Sequence, residues 1–193
     1  MYCHGKSNAT TSKVLQLGVN DLQNKVASLG LTLSHPKFKV IKFSRRMNSF
    51  DPEMTINFKL PVVDNCKILG LIFDSRLTWK QHIQELKGVC LKRLNLIKIL
   101  LHYHWGAEET TLLKVYRSLI RSKLDYECFV YMSGTKSISN LLNTVHNTAI
   151  RLCLGAFCSS PAESLYCEAN KPPPGLRRKN LLFFYAPAIS SNL

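Results

Sequence analysis

Long apolar runs are missing from this sequence. None approaches the roughly 18 residues that a membrane span needs, and the opening MYCHGKSNAT has no apolar stretch of the signal-peptide kind. An intracellular setting, nucleus or cytoplasm, is therefore expected, with no membrane span. Acids are scarce as well: 12 Asp and Glu stand against 26 Lys and Arg, a formal net charge of +14 over 193 residues. The acids are also scattered, with no Asp-Asp or Asp-x-Asp pair anywhere. Two-metal phosphoryl transfer needs carboxylates held together, because both ions, about 3.5–4 Å apart, must clamp the attacking and leaving oxygens. A self-contained centre of that kind is excluded. No Cys-x-x-Cys pair occurs among the seven cysteines, which points to reduced thiols rather than a secreted framework. No glycine-rich fingerprint follows a strand pattern, so Rossmann and P-loop readings fail. Internal repeats and low-complexity segments are absent too.

What is present is enough apolar material for a core. With 46% apolar and 20% charged residues, the composition fits one ordinary domain or two small ones and not a disordered basic tail. The positive charge is unevenly spread. Residues 1–50 carry eight basic side chains and one acid, residues 51–74 two and four, residues 75–125 ten and four, and the remainder six and three. Two basic blocks thus flank a mildly acidic interval. Nucleic acid is the leading partner class for such a protein, and an anionic membrane surface the second.

Leu15, Val19, Leu22, Val26 and Leu29 recur at spacings of four and three and predict an amphipathic helix over 12–29, capped by Thr11 or Ser12 and ended at Gly30. Residues 38–43, 54–58 and 67–73 are short, rich in β-branched and aromatic side chains, and separated by Asp, Asn and Pro. They predict three antiparallel strands. Beyond Asp74 the pattern turns helical. A helix over 79–101 places Ile83, Leu86, Cys90, Leu94, Ile97 and Leu101 on one face, with Lys80, Lys87 and Lys98 on its flank. A helix over 107–126 turns Leu112, Val115, Tyr116 and Leu119 inward and Lys114, Arg117 and Arg121 outward; Glu108 and Glu109 at its start and Arg121 and Lys123 at its end suit the helix dipole. A third, over about 137–154, turns Leu141, Val145, Ala149 and Leu152 inward and stops at Gly155. The run Lys171-Pro172-Pro173-Pro174-Gly175 breaks the pattern and predicts a linker.

Candidate chemistry is limited to binding. Lys80, Lys87, Lys92, Arg93 and Lys98 on one helix, with Lys114, Arg117, Arg121 and Lys123 on the next, are expected to line a groove that contacts phosphates without reading bases. Arg45-Arg46 is a weaker candidate. Trp79 and Trp105 read as packing residues at helix starts rather than stacking platforms. Asp125-Tyr126 reads as structural, with the tyrosine packed between helices. His102-Tyr103-His104 and the set Cys153, Cys158 and Cys167 are the sole hints of metal ligation, and neither has the spacing of a Cys2His2 site. No catalytic and no metal-binding residue is assigned.

The order of several segments resembles the C-terminal part of a non-LTR, jockey-type retrotransposon reverse transcriptase. The segments are LGLIFD at 69–74, LTWK at 77–80 with His82 and Ile83, WGA at 105–107, LL at 112–113 and YRSLIRSKLDY at 116–126. HN at 146–147, AIRL at 149–152, GAF at 155–157, SP at 160–161, SL at 164–165, EAN at 168–170 and PP at 172–173 follow in the same order. The ordered run, spanning roughly residues 1–185, carries the resemblance. It implies that the paired magnesium-binding aspartates of a Y/F-x-D-D hairpin would precede Met1, as would the fingers and the rest of the palm. By the same resemblance, Met1 to His4 would be the strand leaving that hairpin. Lys37 would match the lysine of a Ser-x-x-Lys-Thr stretch, with Phe38 in place of the Thr; residues 67–74 would be the hairpin supporting the primer end, and the helices from Trp79 the thumb.

The fold expected is α+β. Short antiparallel strands with one helix, a distal palm with its primer-supporting hairpin over 1–76, precede an all-helical thumb-like bundle over 77–160 and a linker or tail over 161–193. The function expected is that of a fragment of an RNA-directed DNA polymerase, holding an RNA template and DNA primer through Lys37, Lys80, Lys87, Lys98, Lys114, Arg117, Arg121 and Lys123. It needs no cofactor of its own; the intact family enzyme would use Mg²⁺. A stand-alone nucleic-acid-binding module or a decayed or domesticated retrotransposon remnant is the alternative.

Overall fold

The helical spacing of the N-terminal region is realised as α1, Asn8–Ser28, in a computed structural model that describes residues 2–5, 8–34, 37–44, 55, 59–101, 106–126 and 128–190. The chain divides into two compact units, residues 1–77 and 78–193. Helices dominate, and one two-stranded antiparallel sheet accompanies them, an α+β arrangement.

In the first unit, Val19 and Leu60 are buried and Leu15, Leu33, Phe38 and Val40 pack against them. That core reaches only the first half of α1. The expected inward face fades beyond Val19: Val26 is half-buried, while Leu22 and Leu29 are exposed. Gly30, with φ +69°, takes the left-handed conformation that ends many helices. The Gln16 side chain uses both ends of its amide, donating Nε2–H to the Thr55 carbonyl (2.7 Å) and accepting the Thr55 N–H on Oε1 (3.0 Å). A side chain thereby does the work of a paired strand.

Two strand expectations are corrected here. Residues 38–43 form no regular strand; they make one parallel bridge, Val40 to Val62, closed by Val40 N–H to the Pro61 carbonyl (3.0 Å) and Val63 N–H to the Val40 carbonyl (2.8 Å). The strand expected over 67–73 is a hairpin. β1 (Asn65–Ile68) and β2 (Leu71–Asp74) pair antiparallel with Asn65 opposite Asp74 and Ile68 opposite Leu71. Leu69 (φ 50°) and Gly70 (φ 93°) form a two-residue turn with both φ values positive, the geometry whose twist matches the flanking strands. The apolar run hid this turn because Leu69 carries no turn signal of its own. The strand expected over 54–58 lies, Thr55 apart, outside the described residues.

The second unit is helical throughout. α2 (Lys80–Leu100) buries His82, Ile83, Leu86, Cys90, Leu94 and Ile97, the expected face with His82 added and without Leu101, which follows the helix and is half-buried. Trp79 caps it in a left-handed conformation (φ 62°) and is 3% exposed, donating its indole N–H to the Ser133 hydroxyl at 2.9 Å. A β-carbon added at Gly134 would stand 3.2 Å from the Tyr131 carbonyl oxygen, a tight approach, and 3.6 Å from the Trp79 ring, an ordinary contact.

α3 (Glu109–Tyr116) runs into a π-helical turn, Arg117–Arg121, and on into α4 (Ser122–Asp125). The π turn, closed by i→i+5 bonds, takes up an extra residue. The buried side chains accordingly fall at Leu112, Tyr116 and Ile120, spaced four and four, whereas Val115 and Leu119, expected inward, are half-buried. α5 (Cys128–Tyr131) and α6 (Lys136–Leu154) follow. α6 buries Leu142, Val145, His146, Ala149, Ile150 and Cys153, a face turned slightly from the expected one; Leu141 and Leu152 are half-buried. Gly155 (φ 62°) ends it, as expected.

Residues 161–193, expected as linker and tail, carry two helices, α7 (Ala162–Glu168) and α8 (Pro174–Ser190). Pro174 starts α8, the end of a helix at which a missing N–H costs nothing. Arg178 on α8 is 9% exposed. No described helix is long and apolar enough to cross a membrane.

Candidate nucleic-acid interface

The expected basic residues separate by environment. Lys80 and Lys98 are exposed and Lys87 half-buried on α2, and Lys92 is exposed. Arg93 is half-buried and donates Nη1–H to the Leu119 carbonyl at 2.6 Å, tying α2 to the π turn. It is a structural cation. At 100° per residue, Lys80, Lys87 and Lys98 lie within about 20° of one another and about 130° round the helix from Arg93. The lysine stripe of α2 therefore occupies the flank away from the π turn. Lys114, Arg117 and Lys123 are exposed on α3, the π turn and α4. The exposed or half-buried cations thus form one stripe on α2 and another over α3 to α4.

Arg121 departs from its expected outward face. Its side chain is 14% exposed, and its Nε lies 3.7 Å from Asp125 Oδ2. The π turn carries it round the helix toward Asp125. Arg177, from α8, reaches the same carboxylate oxygen with Nη2 (3.0 Å) and Nε (3.2 Å). Asp125 is thus structural, as expected. Tyr126 is not packed between helices: it is 49% exposed because the chain leaves the helix there (ψ 117°), and the Lys123 ammonium stands 5.8 Å from its ring centre. Lys37 belongs to the first unit, where it is exposed and its N–H bonds the Ser34 carbonyl at 3.1 Å. Arg45-Arg46, His102-Tyr103-His104 and Trp105 lie outside the described residues. Trp79 is a packing residue.

The polar side chains that periodicity overlooked sit deeper. His146 is 5% exposed, and its Nδ1 shares a 2.5 Å hydrogen bond with the Tyr116 hydroxyl. Burial, followed by the nearby Arg121 and Arg178 guanidiniums, pushes its pKa down to about 4, so the ring is neutral at pH 7. The Tyr116 phenol is pushed up, chiefly by burial. An unfolded chain protonates this histidine near its ordinary value of 6.5 and the folded one near 4. Between those values the unfolded state binds the extra proton, so stability falls as pH falls. His146 is expected to account for about 2 kcal/mol of lost stability between pH 7.5 and 5. Urea midpoints of the wild type and His146→Gln at both pH values check this; parallel losses in the two proteins would remove His146 as the source.

All seven cysteines are free thiols, and burial raises the pKa of Cys90 and Cys153 to about 11 and that of Cys128 in the same direction. These three are protonated, inert core residues. Cys158 and Cys167 are exposed. Among the described residues no three His, Cys, Asp or Glu side chains converge where they could hold a metal ion, so those residues do not fit the Mg²⁺ of the family enzyme. The chain matches no protein-family model, no curated protein and no solved structure.

Proposed function

We propose that this chain is part of an RNA-directed DNA polymerase of the non-LTR retrotransposon type, acting in the nucleus or cytoplasm. It would help to hold the RNA template and DNA primer and would not itself catalyse. The observation that carries the reading is the ordered run of segments from LGLIFD at 69–74 to PP at 172–173. It is supported by two stripes of exposed or half-buried cations on α2 and α3–α4 that no described carboxylate neutralises at ion-pair distance. In this reading residues 1–76 are distal palm and primer-supporting hairpin, and residues 77–160 are the thumb.

Such stripes bind phosphates by releasing counterions, so log affinity falls linearly with log salt. A labelled RNA/DNA hybrid titrated with the purified chain at several salt concentrations is expected to show that line with a steep negative slope. Binding that ignores salt would sink the proposed interface. Primer extension with Mg²⁺ and deoxynucleotides is expected to yield nothing from this chain; a DNA product would overturn the non-catalytic assignment.

A further inference from the structure

Among the described residues, Arg178 is a buried cation without a counterion. Its hydrogen bonds there go to neutral oxygens: Nε to the Pro174 carbonyl at 3.1 Å and Nη2 to Asn143 Oδ1 at 2.5 Å. Buried charges are ordinarily paired. Arg178 lines a cavity of about 30 Å³ together with Arg121, Arg177, Asp125 and His146, room for about two oxygen-sized atoms. The one carboxylate among the described residues of its wall, Asp125, is already engaged by Arg177 and Arg121. Among the described residues three guanidiniums thus face one carboxylate, a surplus of two positive charges. The terminal nitrogens of Arg121 make no hydrogen bond among the described residues.

A second observation comes from His146. Its Nε2 is buried with no hydrogen-bond partner among the described residues, a state that asks for an occupant. The neutral Tyr116 hydroxyl can donate to Nδ1, which leaves the proton on Nε2 and makes that nitrogen a donor as well. Close by, the Lys171 ammonium is destabilised by burial and then by Arg117 and Arg121, a sign of unbalanced positive potential on this side of the helical unit.

We propose that this cavity binds a phosphate group as the dianion, two of its oxygens entering between Arg121 and Arg178 beside the His146 ring. Two negative charges match the surplus of two, whereas a carboxylate would leave one guanidinium unbalanced. The phosphate is either free or at the end of a nucleic-acid strand, since a backbone diester carries a single charge. The site is separate from the lysine stripe of α2 and does not depend on the polymerase reading.

The test is a titration of the full chain with inorganic phosphate at constant ionic strength, read from the ring-nitrogen resonances of His146. A saturable shift at millimolar phosphate is expected, with acetate far weaker. Arg121→Gln is expected to weaken binding about tenfold, and Asp125→Asn, which removes the competing carboxylate, to strengthen it. A fold that has merely been damaged would weaken it in both variants. No saturable shift at His146, an equal response to acetate, or wild-type affinity in Arg121→Gln overturns the proposal. A duplex with a 5′-phosphate shifting His146 where its 5′-hydroxyl twin does not supports a strand end as the source; a response to inorganic phosphate alone supports the free ion. Salt-dependent hybrid binding that survives in Arg121→Gln leaves the stripes intact and isolates a failure of the cavity from a failure of the interface.

Discussion

Reversing Lys80, Lys87 and Lys98 to glutamate together is expected to weaken binding of an RNA/DNA hybrid roughly a hundredfold or more near about 0.1 M salt. The expectation rests on placement. These three lie on one flank of α2, exposed or half-buried, and none of them is ion-paired among the described residues. Every phosphate left without its lysine should flatten the plot of log affinity against log salt by a little under about one unit. The triple variant is therefore expected to show a slope shallower by about two to three units. Lys136 and Lys179, exposed elsewhere in the same unit, supply the control. If reversing those two flattens the slope as much, affinity follows net charge and the α2 stripe is no interface. Arg121 is left out of the variant because its guanidinium is held by Asp125.

Trp79→Ala is expected to destabilise the helical unit by about 3–5 kcal/mol, the cost of removing a large buried aromatic. The indole is 3% exposed, packs edge-on against His82 with ring centres 6.5 Å apart, and spends its one N–H on Ser133. The substitution removes one hydrogen bond from the Ser133 hydroxyl, which keeps the one it donates to the Val130 carbonyl, and opens a cavity beneath the start of α2. The left-handed φ of 62° would be as unfavourable for alanine as for tryptophan, so no strain is relieved. Urea denaturation followed by the helical signal measures the loss. A cost below about 1 kcal/mol would show that the site collapses around the smaller residue. An unchanged salt slope for the hybrid would go with a packing role for this residue.

The elements that were legible share one property, apolar side chains recurring at the period of the structure they form. α2 and the Gly155 end of α6 follow directly from Ile83, Leu86, Cys90, Leu94 and Ile97 and from a glycine where a left-handed residue is needed. α8 was hidden because Leu181, Leu182, Phe183, Phe184 and Tyr185 are consecutive and show no helical period, and because Pro174 reads as a break when it stands at a helix start. The buried polar groups were hidden for a different reason. Arg178 and His146 are inside because of what surrounds them, and residue type alone assigns a cation to solvent. Residue type named the basic side chains but could not sort them, because Arg93 bonds the π turn and Arg121 faces Asp125 through packing that periodicity does not carry.

That π turn makes helix register a tertiary decision. A peptide of residues 107–126 on its own has every reason to stay α-helical and to gather Leu112, Val115, Tyr116 and Leu119 on one side. The observed alternative places Ile120 inside, and Arg93 of α2 supplies an N–H to a carbonyl within the turn. The wide turn therefore belongs to the assembled unit. It behaves like a one-residue insertion absorbed without a loop, and Arg121 at its end and Asp125 one turn beyond owe their direction to it.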